Sequence, residues 1–190
     1  ASMPAPGEGK VDCQLIAGRV QQTLSSAYPL KLMSPQAVPN ADPSQGTSEL
    51  QPAVCYILSY GGGIVHGDQI HVDVRAGTGC ALMLLTQGST KVYRHRAGRP
   101  PSCLKNTRMN ENLDINQTYQ TLLVDVEPRA LVCLLPDPVT CFKGALYNQR
   151  QAVRLHDTTS SLVLLDWMTS GRMSRGERWA FEKYLSVNVV

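Results

Sequence analysis

The sequence has no C-x-x-C pair, no apolar run near the ~20 residues that a membrane span requires, and no sustained amphipathic helix pattern. The first absence excludes paired-cysteine zinc and redox motifs, the second a helical membrane span, and the third leaves strands as the main element. Charge is also scarce, at 17% of residues with a formal net charge of +3. Both signs are present, which excludes a strongly acidic or polybasic partner, and so few charges leave part of the surface to be hidden against something else. No G-x-S-x-G elbow occurs, and Ser89 in Gln87-Gly88-Ser89 lacks its context, so serine hydrolysis has no support. No cysteine has a local catalytic signature. Gly61-Gly62-Gly63 is followed by Gly67-Asp68-Gln69 rather than by the lysine and hydroxyl of a P-loop, and His66 occupies the third glycine place of a dinucleotide fingerprint. The basic run from Lys91 to Arg99 stands alone, the pattern of a solvated loop rather than of a nucleic-acid module. These absences together argue for neither an enzyme nor a nucleic-acid binder.

The chain is 190 residues long, which fits one domain spanning 1–190. Residues 1–10 are rich in proline and glycine without an apolar core, a flexible lead-in rather than a signal peptide. Six cysteines, Cys13, Cys55, Cys80, Cys103, Cys133 and Cys141, are scattered. Cys55, Cys80 and Cys133 sit in or beside apolar runs, as small hydrophobes do. Reduced thiols and a cytoplasmic location are expected. Residues 36–52 and 97–109, poor in large apolar side chains and rich in Pro, Gly and polar residues, are expected to be surface loops.

The informative stretch runs from Tyr56 to Arg96. Tyr56-Ile57-Leu58 enters the glycine cluster Gly61-Gly62-Gly63, and the chain turns at Gly67-Asp68. Ile70, Val72 and Val74 then alternate with His71, Asp73 and Arg75, the period of a half-buried strand. Gly77-Thr78-Gly79 makes a second turn before the apolar run Ala81 to Leu85. Further on, Thr121 to Val126, Ala130 to Leu135, Gln151 to Leu155, Leu162 to Leu165 and Leu185 to Val189 repeat the scheme with turn residues between them, and Leu162 to Leu165 is expected to be buried as a whole. Pro136-Asp137-Pro138 forbids a helix there. The fold class is mainly β, in layered sheets with little helix.

Two groups of side chains could carry chemistry. His66, Asp68, His71 and Asp73 form H-x-D-x-x-H-x-D, ligand types that suit Ni²⁺ or Zn²⁺; alternatively Asp68 caps the turn while His71 and Asp73 face solvent. Asp166 follows four apolar residues and is expected to be mostly buried, with Arg172 or Arg175 as partner, in a structural ion pair or in a polar path shared with Glu177.

GGGIVHGDQIHVDV and LLTQGSTKVYRHR resemble the conserved-spacing segments of the urease accessory protein D family (UreD, also called UreH). YPLKLMSP, LPDPVTCFKGALYNQ and LLDWMTSGRMSRGERWAF agree with it, in the family's order over nearly the whole chain. The resemblance implies a helical stack of β-strands, truncated at its C-terminal end, with an exposed final edge. It implies a non-enzymatic scaffold that binds the accessory proteins UreF and UreG, the latter a GTPase, and docks on apo-urease. No cofactor would be held permanently; Ni²⁺ would pass in transit. Asp68, Thr90, Asp166 and Glu177 would line its path, with His66 and His71 as further metal candidates beside Asp68. Gly61, Gly62, Gly63, Gly67, Lys91, Tyr93, Arg94, Gly171, Arg172 and Gly176 would be structural positions of the family's motifs, with Lys91, Tyr93 and Arg94 also shaping that path or the partner surface. A β-rich interaction module without metal traffic is the alternative.

Overall fold

A computed structural model describes residues 3–35, 52–95 and 117–190 of the chain. The loops expected at 36–52 and 97–109 lie outside the described residues, Pro52 excepted.

The chain winds as a three-faced coil of parallel strands, opened by antiparallel ones. The opening strands are β1 (Glu8–Ile16), β2 (Arg19–Ser26), β3 (Leu30–Met33) and β4 (Ala53–Ser59). The first coil follows as β5 (Gln69–Ala76), β6 (Ala81–Leu85) and β7 (Thr90–Val92). The next is β8 (Thr118–Val126), β9 (Leu131–Leu134) and β10 (Val139–Cys141). A third comprises β11 (Leu146–Leu155), β12 (Ser161–Leu164) and β13 (Met168–Thr169), and β14 (Lys183–Val189) returns to the first face. Each face is one sheet, in the orders β14-β11-β8-β5-β1-β2, β12-β9-β6-β4-β3 and β13-β10-β7. The helical stack expected from the resemblance is what forms.

Coiling follows from the sequence pattern. Apolar runs end in turn residues at each corner, so the chain turns onto the next face after a strand of ten residues at most among those described. Parallel pairing then sets each coil on the last in register, Val11 beside Val74, Val74 beside Val124 and Val124 beside Val153. This row is buried, at 0%, 3%, 2% and 5% exposure along it, and forms one wall of the core. The opposite wall is Cys55, Leu84 and Leu134 in a second row. On the outer face the row Asp12, Arg75, Asp125 and Arg154 alternates in sign, with Arg75 3.5 Å from Asp12 and Arg154 2.6 Å from Asp125. Exposed pairs of this kind add little stability and serve mainly register.

Two expectations are corrected by the structure. The lead-in is shorter than 1–10, because β1 already begins at Glu8, paired with β2 on one side and β5 on the other. Gly7 makes this possible: its φ is +79° and a Cβ there would stand 2.0 Å from the Gln69 carbonyl oxygen. Leu162 to Leu165 is not buried as a block. Its side chains alternate, with Val163 49% and Leu165 40% exposed, since β12 is an edge strand with one face turned out. The cysteines behave as small hydrophobes. Burial, before any neighbouring charge, pushes the Cys13 thiol up to about 12 and Cys55 to about 11, which keeps both unreactive.

Truncating Leu84, 0% exposed, to alanine costs about 2–5 kcal/mol. Val163→Ala on the outward side of the edge strand costs under about 0.5 kcal/mol. Urea unfolding midpoints of the two variants check this, and equal losses would place Val163 in the core.

Candidate functional site: a polar cavity inside the coil

The valine row does not continue across the whole inner face. One row over, Val72 and Leu122 are followed by Gln151 and Asn188; the next reads Ile70, Gln120, Gln149 and Ser186. Toward β14, therefore, the interior turns from aliphatic to amide and hydroxyl. Buried polar groups must find partners, and in a stacked coil those come from the same row or from the facing corner. Gln151 donates from Nε2 to Asn188 Oδ1 at 2.9 Å, and the buried Tyr147 hydroxyl lies 3.0 Å from Gln149 Oε1 and 3.1 Å from Gln120 Oε1. Full burial holds the Tyr147 phenol well above its usual range, so it stays neutral.

Between this wall and the corners that follow β6, β9 and β12 lies a cavity of about 50 Å³. That is room for several waters, and the lining supplies the polar partners they need. Its carboxylates are Asp137 and Asp166, joined by Thr90, Gln120, Gln149 and Gln151. Asp137 is tied to its corner, accepting from the Gly88 N–H at 2.8 Å, while its own N–H donates to Thr86 Oγ1 at 2.8 Å. Thr90 reaches the cavity because strand alternation turns it and Val92 inward and leaves Lys91 exposed.

Asp166 differs from the expectation in exposure and in partners. It is half-buried, one step beyond the inward residues Leu162 and Leu164, and faces the open end of the glutamine wall. Its Oδ1 accepts from Gln149 Nε2 at 3.2 Å, and its Oδ2 from Ser186 Oγ at 2.6 Å and Asn188 Nδ2 at 2.7 Å. Neither Arg172 nor Arg175 takes part. Among the described residues only neutral donors hold the carboxylate, and the nearby Tyr184 phenol is pushed up to about 12, by burial first and then by the Asp166 charge.

Arg172 is committed elsewhere, to Glu177. Its Nε donates to Glu177 Oε2 at 2.8 Å and its Nη2 to Glu177 Oε1, while the Lys143 N–H donates to Glu177 Oε2 at 3.1 Å. The guanidinium lies over the Phe142 ring, 4.0 Å from its centre, and Phe142 meets Tyr93 edge-on with ring centres 5.0 Å apart. Tyr93 packs on Gly63, where a Cβ would be 2.6 Å from Tyr93 Cε2. Gly171 is equally constrained, with φ +124° and a Cβ position 2.5 Å from the Glu177 carbonyl oxygen. Gly176 takes φ +70° to close the turn on Met173. Residues far apart in sequence thus form one latch across the third face, and Phe142, its centre, was not singled out by the sequence. The signal available was its place beside the corner glycine Gly144.

Asp68 and Glu177 are not among the residues that line the cavity. Asp68, 3% exposed, accepts the Val65 N–H at 2.9 Å and donates its own N–H to the Val65 carbonyl at 3.0 Å, closing the turn at Gly67, whose φ is +78°. Gly61 and Gly62 carry φ of +77° and +73° in a short 3₁₀ turn. His71 binds Asp73 at 2.9 Å on the outer face of β5. His66 instead meets His95, with Nδ1 atoms 3.0 Å apart. His66, Asp68 and His71 do not form a ligand set: among the described residues no three His, Cys, Asp or Glu side chains are placed to hold a metal ion. Lys91 and Arg94 are exposed.

A three-faced parallel coil whose interior turns from apolar to polar along one wall defines a protein of the β-solenoid class, with a water-sized, polar-lined cavity inside it. The UreD urease accessory protein profile matches residues 7–190. The chain belongs to that family. It is 40% identical over 186 residues to urease accessory protein D of Oryza sativa subsp. japonica, covering 97% of this chain and 52% of the relative. It is 39% identical over 183 residues to that of Arabidopsis thaliana (96% and 54%) and 36% identical over 181 residues to UreD of Sorangium cellulosum (95% and 48%). The chain thus spans about half the length of the curated relatives it matches. No helix among the described residues is long and apolar enough to cross a membrane.

The latch yields an acid-stability prediction. Arg172, with the Lys143 N–H, pulls the Glu177 carboxyl from its ordinary 4.5 down to about 2. Because the folded value is the lower one, the stabilisation is complete above about pH 4.5 and is lost as pH falls toward 2. Acid titration of folding should therefore be shallower between pH 4.5 and 2 in Glu177→Gln than in the native chain. Identical titrations would remove the latch.

Proposed function

We propose that this chain serves urease maturation as a non-enzymatic scaffold. It binds the accessory proteins UreF and UreG and apo-urease, and passes Ni²⁺ along the polar side of its coil. The kinship supports the setting. The observation that carries the mechanism is Asp166: a carboxylate at a water-sized cavity, held by Gln149, Ser186 and Asn188 rather than by a cation. Among the described residues no ion pair cancels its negative charge, so a divalent ion gains by approaching it. Amide, hydroxyl and carboxylate oxygens are weak ligands for a metal high in the Irving–Williams order, and weak binding is what transfer requires. Thr90 and Asp137 extend the same oxygen lining along the cavity.

Asp68 and Glu177 serve this reading indirectly, by fixing the turn at Gly67 and the latch around Phe142. Asp166→Ala is therefore expected to slow nickel-dependent urease activation roughly ten- to a hundredfold, while UreF, UreG and urease still co-purify with the chain. Asp68→Ala is expected to lower stability and assembly together. Full activation by Asp166→Ala would sink the transfer role.

The second reading is a protein-interaction module with no metal role. It is favoured by apolar side chains left outside near the edge strand β14, among them Leu185 at 45%, Val187 at 37% and Trp179 at 64% exposure. On that reading Asp166→Ala is silent and Val187→Asp abolishes co-purification.

A further inference from the structure

The cavity does not use the His66–His95 pair, which lies at the other side of the first coil. His66 follows the Ile64 bridge to Val92, and His95 follows the end of β7. The rings stand edge to face, 82° apart with centres at 4.4 Å, and the Nδ1 atoms are 3.0 Å apart. His66 is 7% exposed, while His95 is half-buried. The surroundings fix both residues: the Val65 carbonyl accepts from Thr118 Oγ1 at 3.2 Å, and the His95 N–H donates to the Gly144 carbonyl at 2.8 Å.

A hydrogen bond between the Nδ1 atoms of two neutral imidazoles needs one hydrogen and one lone pair, so in that form one ring carries its proton on Nδ1 and the other on Nε2. The same two nitrogens also have the spacing of adjacent ligands on a metal. With metal–nitrogen bonds of about 2.1 Å, two nitrogens at a right angle are roughly 3.0 Å apart, and at a tetrahedral angle about 3.4 Å. The observed 3.0 Å matches the right angle. Right angles belong to square-planar, tetragonal and octahedral ions, which among imidazole-binding metals means Cu²⁺ or Ni²⁺ rather than Zn²⁺.

We propose that His66 and His95 form a two-nitrogen site for a divalent ion of this geometric class. Binding turns the lone pairs of both Nδ1 atoms to the metal, and the ring that held its proton on Nδ1 takes one on Nε2 instead, so both stay neutral and no net proton is released. Among the described residues no third His, Cys, Asp or Glu completes the set. Such a site loads and unloads readily. The inference stands on the geometry of the pair, whether or not Asp166 passes nickel.

The test is Cu²⁺ titration of the 190-residue chain followed by electron paramagnetic resonance, with Ni²⁺ as competitor. The native chain should show nitrogen hyperfine structure from two imidazoles, displaced by excess Ni²⁺. His95→Asn, at the more exposed position, should weaken binding at least about tenfold and leave one imidazole signal, and His66→Asn should do the same if it folds. The double variant His71→Asn/His156→Asn, which spares the pair, should bind as the native chain does. No two-nitrogen signal in the native chain, or undiminished binding in His95→Asn, would overturn the site. Neither result depends on urease activation, so loss of this site and loss of the transfer role are told apart.

Discussion

Stacking in register is the constraint from which the rest of this molecule follows. In a parallel coil each inward side chain has, as its neighbours, the same position one coil above and one below. Each member of a row must therefore suit the neighbours it meets: Val11, Val74, Val124 and Val153 bury one another, and no polar residue could join them without losing its hydrogen bonds. Where one member is an amide, the next must answer it. Gln149 lies between Gln120 and Ser186, and Gln151 beside Asn188. An aliphatic part and a polar part coexist in one narrow core because the change runs along two of the rows toward β14, from Val72 and Leu122 to Gln151 and Asn188, and from Ile70 to Gln120, Gln149 and Ser186.

The polar wall creates the functional opportunity and also a cost, since unpaired amides inside a protein are destabilising. The structure meets this with side-chain pairs along the wall, with water-sized space, and with Asp166 placed across from it. The third face carries the opposite solution. There the bidentate Arg172–Glu177 pair, stacked on Phe142 and through it on Tyr93, clamps successive coils together. One side of the coil is closed by a bidentate charge pair, while on the other the Asp166 carboxylate meets only neutral donors among the described residues.

Much of the fold was legible. The period-2 alternation from Ile70 to Val74 and the bounded runs at Ala81 and Leu131 located strands, and the motif order suggested that they stack. The exposed half of β12 was not legible, because Leu162 to Leu165 reads as one apolar block until its place at a sheet edge is known. At the site, Thr90 and Asp166 were named and do share the cavity. Their glutamine companions were not, since Gln120, Gln149 and Gln151 look like ordinary strand polar positions until register aligns them. Arg172 was matched to the wrong carboxylate for a related reason: proximity in sequence to Asp166 says nothing of a turn that folds the guanidinium back onto Glu177. His95 went unnoticed beside His66 because their contact needs the bridge from Ile64 to Val92.

The central claim is that the interior between Thr90 and Asp166 is wet. A high-resolution crystal structure of the chain measures this directly. Ordered waters joining Thr90 Oγ1, the glutamine amides and the Asp166 carboxylate in one hydrogen-bonded string are the expected result. A collapsed core, with the glutamines bonded only to one another and no density for solvent between these residues, would contradict it.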